Sequence, residues 1–479
     1  MNAPVQHRMD IPLAVDLDGT LVSTDMLWET VFLLLKKNPL YLFLLPVWLS
    51  SGKARLKWEV ARRVTVDAAH LPYRQDFLAF LRREHAAGRR LVLATAAAEP
   101  VARAVAEELK IFSAVHATSP SNNLSSRRKA AALCAAYGEK GFDFAGNDRA
   151  DIPVFDVACN AIIVAPDLAA DRYQKRHGSQ RFDSRAATLK TYARMLRVHQ
   201  WLKNLLVFAP AVLAHTIASA ETLVASSIAF LAFSFSASAV YILNDILDLP
   251  LDRRHATKRN RPFASGTVSI PYGLTVSACL LFTAAALCLL LPLAFAGVIA
   301  LYLVATTAYS LTLKRMLLID VLCLAGLYSM RLLGGKVATE LPLSFWLVAF
   351  ALFFFLSLAL VKRYVELQGA ITDEQARVAG RGYVSEDIDV IGQSGVASAF
   401  VAVLVLSLYI QSKEIVALYS QPWMIWPLVP IVLYICMRVW ILAHRREMHD
   451  DPVVFIATDW RSQLFIGAGA VLLLAASVV

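Results

Sequence analysis

Thr222 to Leu243 is an uncharged apolar run, long enough to cross a bilayer. It opens directly onto Asn244-Asp245-Ile246-Leu247-Asp248-Leu249-Pro250-Leu251-Asp252. Asp245, Asp248 and Asp252 are spaced i, i+3 and i+7, which is one face of a helix. Three carboxylates are thereby placed where a membrane helix meets water, a costly position that marks function. Arg253, Arg254, Lys258, Arg259 and Arg261 follow. Oxygens followed by cations suit Mg²⁺ and a phosphate: the metal bridges carboxylate to phosphate and the bases hold the remaining oxygens. A plain stop signal needs charge, but it does not need a three-carboxylate face.

The chain of 479 residues is 57% hydrophobic yet keeps 18% charged residues, unevenly spread, which suggests a soluble part joined to a membrane part. A net charge of +10 raises the possibility of nucleic acid. The bases collect in loops between apolar runs, so membrane topology explains them and no nucleic-acid partner is expected. Six cysteines form no CxxC or metal spacing and read as small hydrophobes, without a disulfide framework. The opening MNAPVQHRMD has no apolar core, so no cleavable signal peptide is expected.

Residues 1–185 read as a soluble α/β domain. Ile11–Val15 is a short apolar strand running into Asp16-Leu17-Asp18-Gly19-Thr20. Carboxylates at i and i+2 of a strand end point the same way, which lets Asp16 attack phosphorus while Asp18 protonates the leaving oxygen. Further strands are expected at 90–95, 142–148 and 161–165, the last of the set, with a helix near 100–110. Polar residues at the carboxyl ends of such strands mark the active edge of an open parallel sheet. The DxDGT signature, Thr95, Lys129 and Gly146-Asn147-Asp148-Arg149-Ala150-Asp151 together resemble the haloacid dehalogenase (HAD) superfamily over about residues 11–165. The resemblance implies that Thr95 binds phosphate, that Lys129 neutralises charge, and that the acidic loop joins Asp16 and Asp18 in holding Mg²⁺. Asn147 stands where many relatives carry Asp, which leaves Asp148 or Asp151 to supply the metal oxygens.

The superfamily inserts a helical cap after the first motif, here about residues 26–88. It contains Val31–Leu35, Lys36-Lys37-Asn38-Pro39 and Leu40–Leu49. Each apolar run is too short to span a membrane, so an interfacial helical hairpin is expected, as suits a substrate attached to a lipid. Residues 170–195 are polar and basic and read as a linker.

Residues 186–479 read as an all-α membrane bundle of about nine spans, near 205–220, 222–244, 270–290, 292–311, 317–335, 342–361, 390–411, 423–443 and 461–479. Alternate connections carry thirteen bases, including Arg377, Arg381, Arg445 and Arg446, against Lys336 and Lys413 on the other side. This asymmetry orients the bundle in the cell inner membrane, with the HAD domain and the chemistry-bearing loops cytoplasmic. On those loops the candidate substrate contacts are Lys203, Asn244, Lys258, Arg261, Tyr309, Lys314, Asp320, Arg331 and Lys362, with His449-Asp450-Asp451-Pro452 completing the ring. Asp320 and Arg331, eleven residues apart, are expected to share a helix face inside the bundle.

The span count, the NDxxDxxxD motif and the tyrosine–lysine motif resemble the UbiA superfamily of intramembrane prenyltransferases over about residues 195–479. Members that prenylate aromatic rings carry a second aspartate-rich motif after the sixth span. Here that loop offers Lys362, Arg363 and Glu366, with acids only at Asp373 and Glu374. Lys258-Arg259-Asn260-Arg261-Pro262 and the YSxxLK…D…R arrangement are closer to the decaprenyl-phosphate phosphoribosyltransferase branch. That resemblance implies a polyprenyl phosphate acceptor and phosphoribosyl pyrophosphate as donor. Asp245, Asp248 and Asp252 would hold Mg²⁺ on the pyrophosphate, and Lys258, Arg261, Lys314 and Arg331 would bind phosphates. Pro250 makes Asp252 the weakest of the three acids. A lipid-linked pentose 5-phosphate would in turn suit the HAD domain, which is expected to remove its phosphate. An aromatic prenyltransferase lacks its second acidic motif here, and a transporter would need a second copy of the Asp cluster in an inverted repeat. No residue pattern sets the oligomeric state.

Overall fold

The computed structural model describes residues 11–183, 187–372, 381–412, 415–416, 419, 421–448 and 451–478. Asp373, Glu374, Arg377, Lys413, His449 and Asp450, together with the first ten residues, lie outside them. The chain divides into two compact units, Met1–Met195 with Ile242–Thr275, and Leu196–Tyr241 with Val276–Val479.

The first unit is built on six strands: β1 (Leu13–Val15), β2 (Leu91–Ala98), β3 (Ala114–Thr118), β4 (Asp143–Gly146), β5 (Ala161–Val164) and β6 (Gln180–Phe182). They form one parallel sheet of order β3-β2-β1-β4-β5-β6. Alternate residues serve opposite faces. Leu13, Val15, Leu91 and Leu93 enter one core, while Ala14, Ala94, Phe144 and Ile163 enter the other. A sheet covered on both faces explains why these strands read as unbroken apolar runs. The strand order reverses direction at β1 and β4, and a crevice for ligands opens at their carboxyl ends.

The insertion between β1 and β2 starts with Met26–Lys37, whose first turn is capped by Asp25 accepting from Leu27 N at 2.8 Å. Pro39–Phe43, Leu45–Ser50 and Lys53–Ala61 follow. Val31, Leu34, Leu56 and Val60 form a cluster of their own. Gln75–Ala86 instead packs Phe77 and Leu81 into the sheet core. The expected hairpin is therefore one full helix followed by a 3₁₀ stretch and a short helix, since Pro39 and Pro46 each restart the chain. Leu40, Phe43 and Val47 on that stretch are 68%, 74% and 56% exposed. This is an unusual concentration of apolar surface.

The sheet also runs further than expected. Beyond β5, the polar stretch read as a linker holds helix Leu168–His177 and then β6. Asp167 caps that helix by accepting from Ala169 N at 2.9 Å and Ala170 N at 2.7 Å. Gly178, at φ 64°, ends it. Helix signals at both ends were present in the sequence, but a polar edge strand carries little apolar pattern.

Seven helices among the described residues are long and apolar enough to cross a membrane: Ala220–Leu247, Ile270–Cys288, Leu293–Leu311, Ile319–Thr339, Phe345–Ile371, Ser385–Ile410 and Pro422–His444. The other two expected spans are short. The first is a 3₁₀ run, Val198–Phe208, followed by Ala209–Leu213 with Pro210 at its start. The last is the apolar helix Trp460–Ala476. All six cysteines are free thiols.

Candidate active sites

At the carboxyl edge of the sheet, Asp16 leaves β1, Thr95 sits within β2, and Asn147, Asp148 and Asp151 follow β4. Lys129, in helix Arg127–Tyr137, donates to Asp16 Oδ1 and Asp151 Oδ1, each at 2.9 Å. Asp18 Oδ1 accepts from Met26 N at 2.8 Å, which turns its carboxyl toward the start of the insertion. Asp151 Oδ2 accepts from Asn147 N at 3.0 Å, and Asp148 caps its own loop through Ala150 N at 2.8 Å. Thr95 is buried with its hydroxyl accepting from Ala97 N at 3.0 Å. The structure brings Asp16, Asp18, Thr95, Lys129, Asp148 and Asp151 to one strand edge.

The electrostatics separate the carboxyls of Asp16 and Asp18 by a small margin. Burial pushes Asp16 up to about 7, against the pull of Lys129. Burial, then the charges of Asp25 and Asp16, pushes Asp18 up to about 8. Burial and Asp151 also raise Asp148. Burial opposes charge on Lys129, but Asp16 and Asp151 outweigh it and hold the ammonium protonated. A carboxyl that keeps its proton near pH 7 can serve as a general acid. Sequence spacing does not flag Lys57, which reaches in from Lys53–Ala61 and donates to Ala96 O at 2.7 Å.

The Asp-rich segment lies in the first unit. Helix Ala220–Leu247 stops before Asp248, and a separate short helix, Leu249–Arg254, follows with Pro250 in its first turn. The three acids therefore do not share one continuous helix face. Asp245 and Asp252 meet across the break at Arg261 Nη1, at 3.2 and 2.7 Å. Asp248 pairs instead with Lys36 at 2.9 Å. Pro250 lacks the N–H that a continuing helix would use, and the resulting turn carries Asp252 back toward Asp245. Lys258 is exposed beside them on Lys258–Asn260. Arg253 forms a buried bidentate pair with Glu29, at 3.0 and 2.5 Å, and donates to Ala264 O at 3.0 Å.

The second unit holds two polar centres. In one, Lys203 donates to Asp451 Oδ2 at 2.6 Å, Lys362 lies 3.5 Å from the same oxygen, and Tyr328 donates to Oδ1 at 3.4 Å. Next to it, Arg331 donates to Asn204 Oδ1 at 2.7 Å and to Tyr302 Oη at 3.2 Å. In the other centre, Asp320 pairs with Arg363 at 3.0 Å and accepts from Tyr383 at 2.5 Å. Arg363 and Arg381 both reach Glu366, and Arg381 donates to Tyr309 Oη at 3.1 Å and to Lys314 O at 3.4 Å. Asp320 and Arg331 are thus not partners. Both are buried on helix Ile319–Thr339, and each takes its side-chain partners from other elements. Arg363, from the basic loop, and Asp451, from the ring of loops, are the residues that pair with Asp320 and Lys203. An Asp-Pro at a helix start is a capping signal, and Asp451 does cap Pro452–Thr458.

A cavity of about 630 Å³ opens beside Lys203, walled by Leu206, Phe354, Phe355, Leu406 and Ile456 among other apolar side chains. Such a lining suits a hydrocarbon chain whose polar head stays near the lysine.

Among the described residues no group of three or more His, Cys, Asp or Glu side chains is set to cage a metal. Mg²⁺ does not need such a cage: it commonly takes one or two carboxylates, with water and substrate phosphate completing its shell. The crowded carboxyls at β1 and β4, raised by burial and by one another, fit a cation.

Residues 13–156 match the haloacid dehalogenase-like hydrolase family, and residues 204–466 match the UbiA prenyltransferase family. The chain is 36% identical to the uncharacterized protein y4nM of Sinorhizobium fredii, over 96% of this chain and 89% of that one. It is 38% identical over 176 residues to the decaprenyl-phosphate phosphoribosyltransferase of Mycobacterium tuberculosis, covering 36% of this chain and 58% of the relative. Among solved structures, a UbiA homolog from Archaeoglobus fulgidus bound to GPP and Mg²⁺ aligns with TM-score 0.46 and 15% identity, over 60% of this chain and 100% of that one. The chain belongs to the UbiA prenyltransferase family, as an integral membrane enzyme with a haloacid dehalogenase-like domain at its N-terminus.

Proposed function

We propose that this chain transfers a phosphoribosyl group from phosphoribosyl pyrophosphate to a polyprenyl phosphate and then removes the 5-phosphate from the lipid-linked product. The observation that carries the transfer step is the basic character of Lys362 and Arg363 where aromatic-ring prenyltransferases would need a second acidic motif. Lys203 and Lys362 both face Asp451 beside the apolar cavity, so cations stand where a lipid phosphate would lie. A relative that is 38% identical over 176 residues acts, by its name, on decaprenyl phosphate.

In this reading Asp245, Asp248 and Asp252 bind the donor with Mg²⁺, and Arg261 and Lys258 supply positive charge to its oxygens. Asn244, Tyr309, Lys314, Asp320 and Arg331 shape the substrate-binding loops. Mg²⁺, held there and by Asp16 and Asp148, would neutralise phosphate charge as bonds to phosphate oxygens break. In the hydrolase step Asp16 attacks phosphorus and Asp18 gives its proton to the departing sugar oxygen. Asp18, now a carboxylate, takes a proton from the water that attacks the aspartyl phosphate, and Asp16 is regenerated. Thr95 and Lys129 hold the phosphate oxygens during both displacements. Residues 1–185 form the hydrolase domain with its cap at about 26–88, and residues 186–479 the transferase domain. Both chemistries face the cytoplasm, as the basic loops suggest.

The test is made on purified protein in detergent with Mg²⁺. Polyprenyl phosphate with phosphoribosyl pyrophosphate is offered in one reaction and prenyl diphosphate with 4-hydroxybenzoate in another. A phosphoribosylated lipid supports the proposal, whereas prenylated hydroxybenzoate sinks it.

A further inference from the structure

The first unit contains a cavity of about 760 Å³ over the hydrolase site. Asp18, Asn147 and Asp148 line it. Part of the lining does not come from the hydrolase-like sequence: Ser265–Tyr272, inside the stretch that matches the UbiA family, and Tyr192. We infer that Ser265–Tyr272 is the substrate-selecting wall of the hydrolase site, and that the group it selects is a phosphorylated sugar ring. The inference rests on the phosphatase reading above and adds to it the source and the chemistry of specificity.

Three observations support it. The segment is fixed to the catalytic loop: Ser23, five residues after Asp18, donates to Ser265 O at 3.2 Å and to Pro72 O at 3.0 Å. Gly266, at φ 69°, lies so close that any side chain there would run into Ser23. The base of the segment is pinned as well, since Arg253 holds Ala264 O while locked to Glu29. The lining is the second point. Tyr192 and Tyr272 present rings 5.8 Å apart and tilted by 58°, and Ser265 and Thr267, whose hydroxyls are 2.8 Å apart, belong to the same lining. A sugar ring offers C–H faces to aromatic rings and hydroxyls to polar groups, so this mixture fits it. The third point is a contrast within the chain. A hydrocarbon tail has its own almost wholly apolar cavity in the second unit, which the tyrosine-and-hydroxyl pocket does not resemble.

The experiment uses the full chain in detergent with Mg²⁺ and two soluble probes, ribose 5-phosphate and acetyl phosphate, which has no ring. Tyr272 is 47% exposed, so Tyr272→Ala leaves the fold intact. The expected result is a rise in KM for ribose 5-phosphate of about five- to tenfold, with acetyl phosphate hydrolysis changed by less than about twofold and recovery in Tyr272→Phe. Equal losses on both probes, or no change on either, overturn the selecting wall and leave the phosphatase reading intact. Wild-type hydrolysis of acetyl phosphate alone overturns the sugar as ligand. Hydrolysis of neither probe by the wild-type chain removes the phosphatase reading and this inference with it.

Discussion

Arg253→Met is the perturbation most directly calculable from this structure. Glu29 and Arg253 are 4% and 6% exposed and form a bidentate pair. Removing the guanidinium leaves Glu29 buried with Thr24, whose hydroxyl donates at 2.7 Å, as its remaining side-chain partner here. Breaking one side of a buried pair costs about 3–5 kcal/mol, because the surviving charge has lost both water and partner. For a unit of roughly 230 residues that lowers the melting midpoint by about 6–20 °C. Glu29→Gln/Arg253→Met removes both charges and should recover most of the loss. The two single variants and the double variant form a cycle whose coupling energy isolates the pair. The assay is thermal unfolding of purified protein in detergent. A shift below about 1 °C for Arg253→Met, or a double variant no better than the single, would refute the claim that this pair anchors the segment after the Asp cluster.

Four other outcomes follow from the same geometry. Asp18, pushed up to about 8, is the proton donor below that pH, so hydrolysis of an alkyl phosphate should fall as pH rises through about 8. An aryl phosphate, whose leaving oxygen needs no proton, should keep its rate, and parallel profiles would remove Asp18 as the acid. Protons compete with metal at Asp16, pushed up to about 7, so Mg²⁺ affinity measured by calorimetry should strengthen from pH 6 to pH 8, and a flat response would place the metal elsewhere. Replacing Leu40, Phe43 and Val47 together by Ser should leave ribose 5-phosphate hydrolysis unchanged while slowing release of phosphate from lipid-linked substrate in liposomes severalfold. Asn204→Ala removes the acceptor of Arg331 Nε and should destabilise the bundle by about 1–3 kcal/mol, read as a lower melting midpoint.

The hydrolase edge was legible because its chemistry is local: Asp16 and Asp18 follow one strand, and Thr95, Lys129 and the 146–151 loop recur at βα junctions. β6 was not, since Gln180-Arg181-Phe182 is an edge strand with a polar outer side. In the membrane part, charge-free length located most helices, yet it overestimated the first, where 3₁₀ geometry and Pro210 intervene. Pairings across helices were the hardest to read. Spacing put Asp320 and Arg331 on one helix face, but it held no sign that Arg363 and Asn204, both on other elements, are their partners. The Asp cluster shows the same limit. Helical periodicity grouped all three acids, but the break at Asp248 put Asp252 with Asp245 at Arg261 and Asp248 with Lys36.

The measurement that bears most directly on the two-step proposal compares wild type with Asp16→Asn, each given polyprenyl phosphate, phosphoribosyl pyrophosphate and Mg²⁺, with lipid products read by mass. The wild-type chain should yield the polyprenyl phosphoribose without its 5-phosphate. Asp16→Asn should accumulate the same lipid with the phosphate retained, at an undiminished rate of sugar transfer. Identical products from the two proteins would contradict consecutive action of the two sites in one chain.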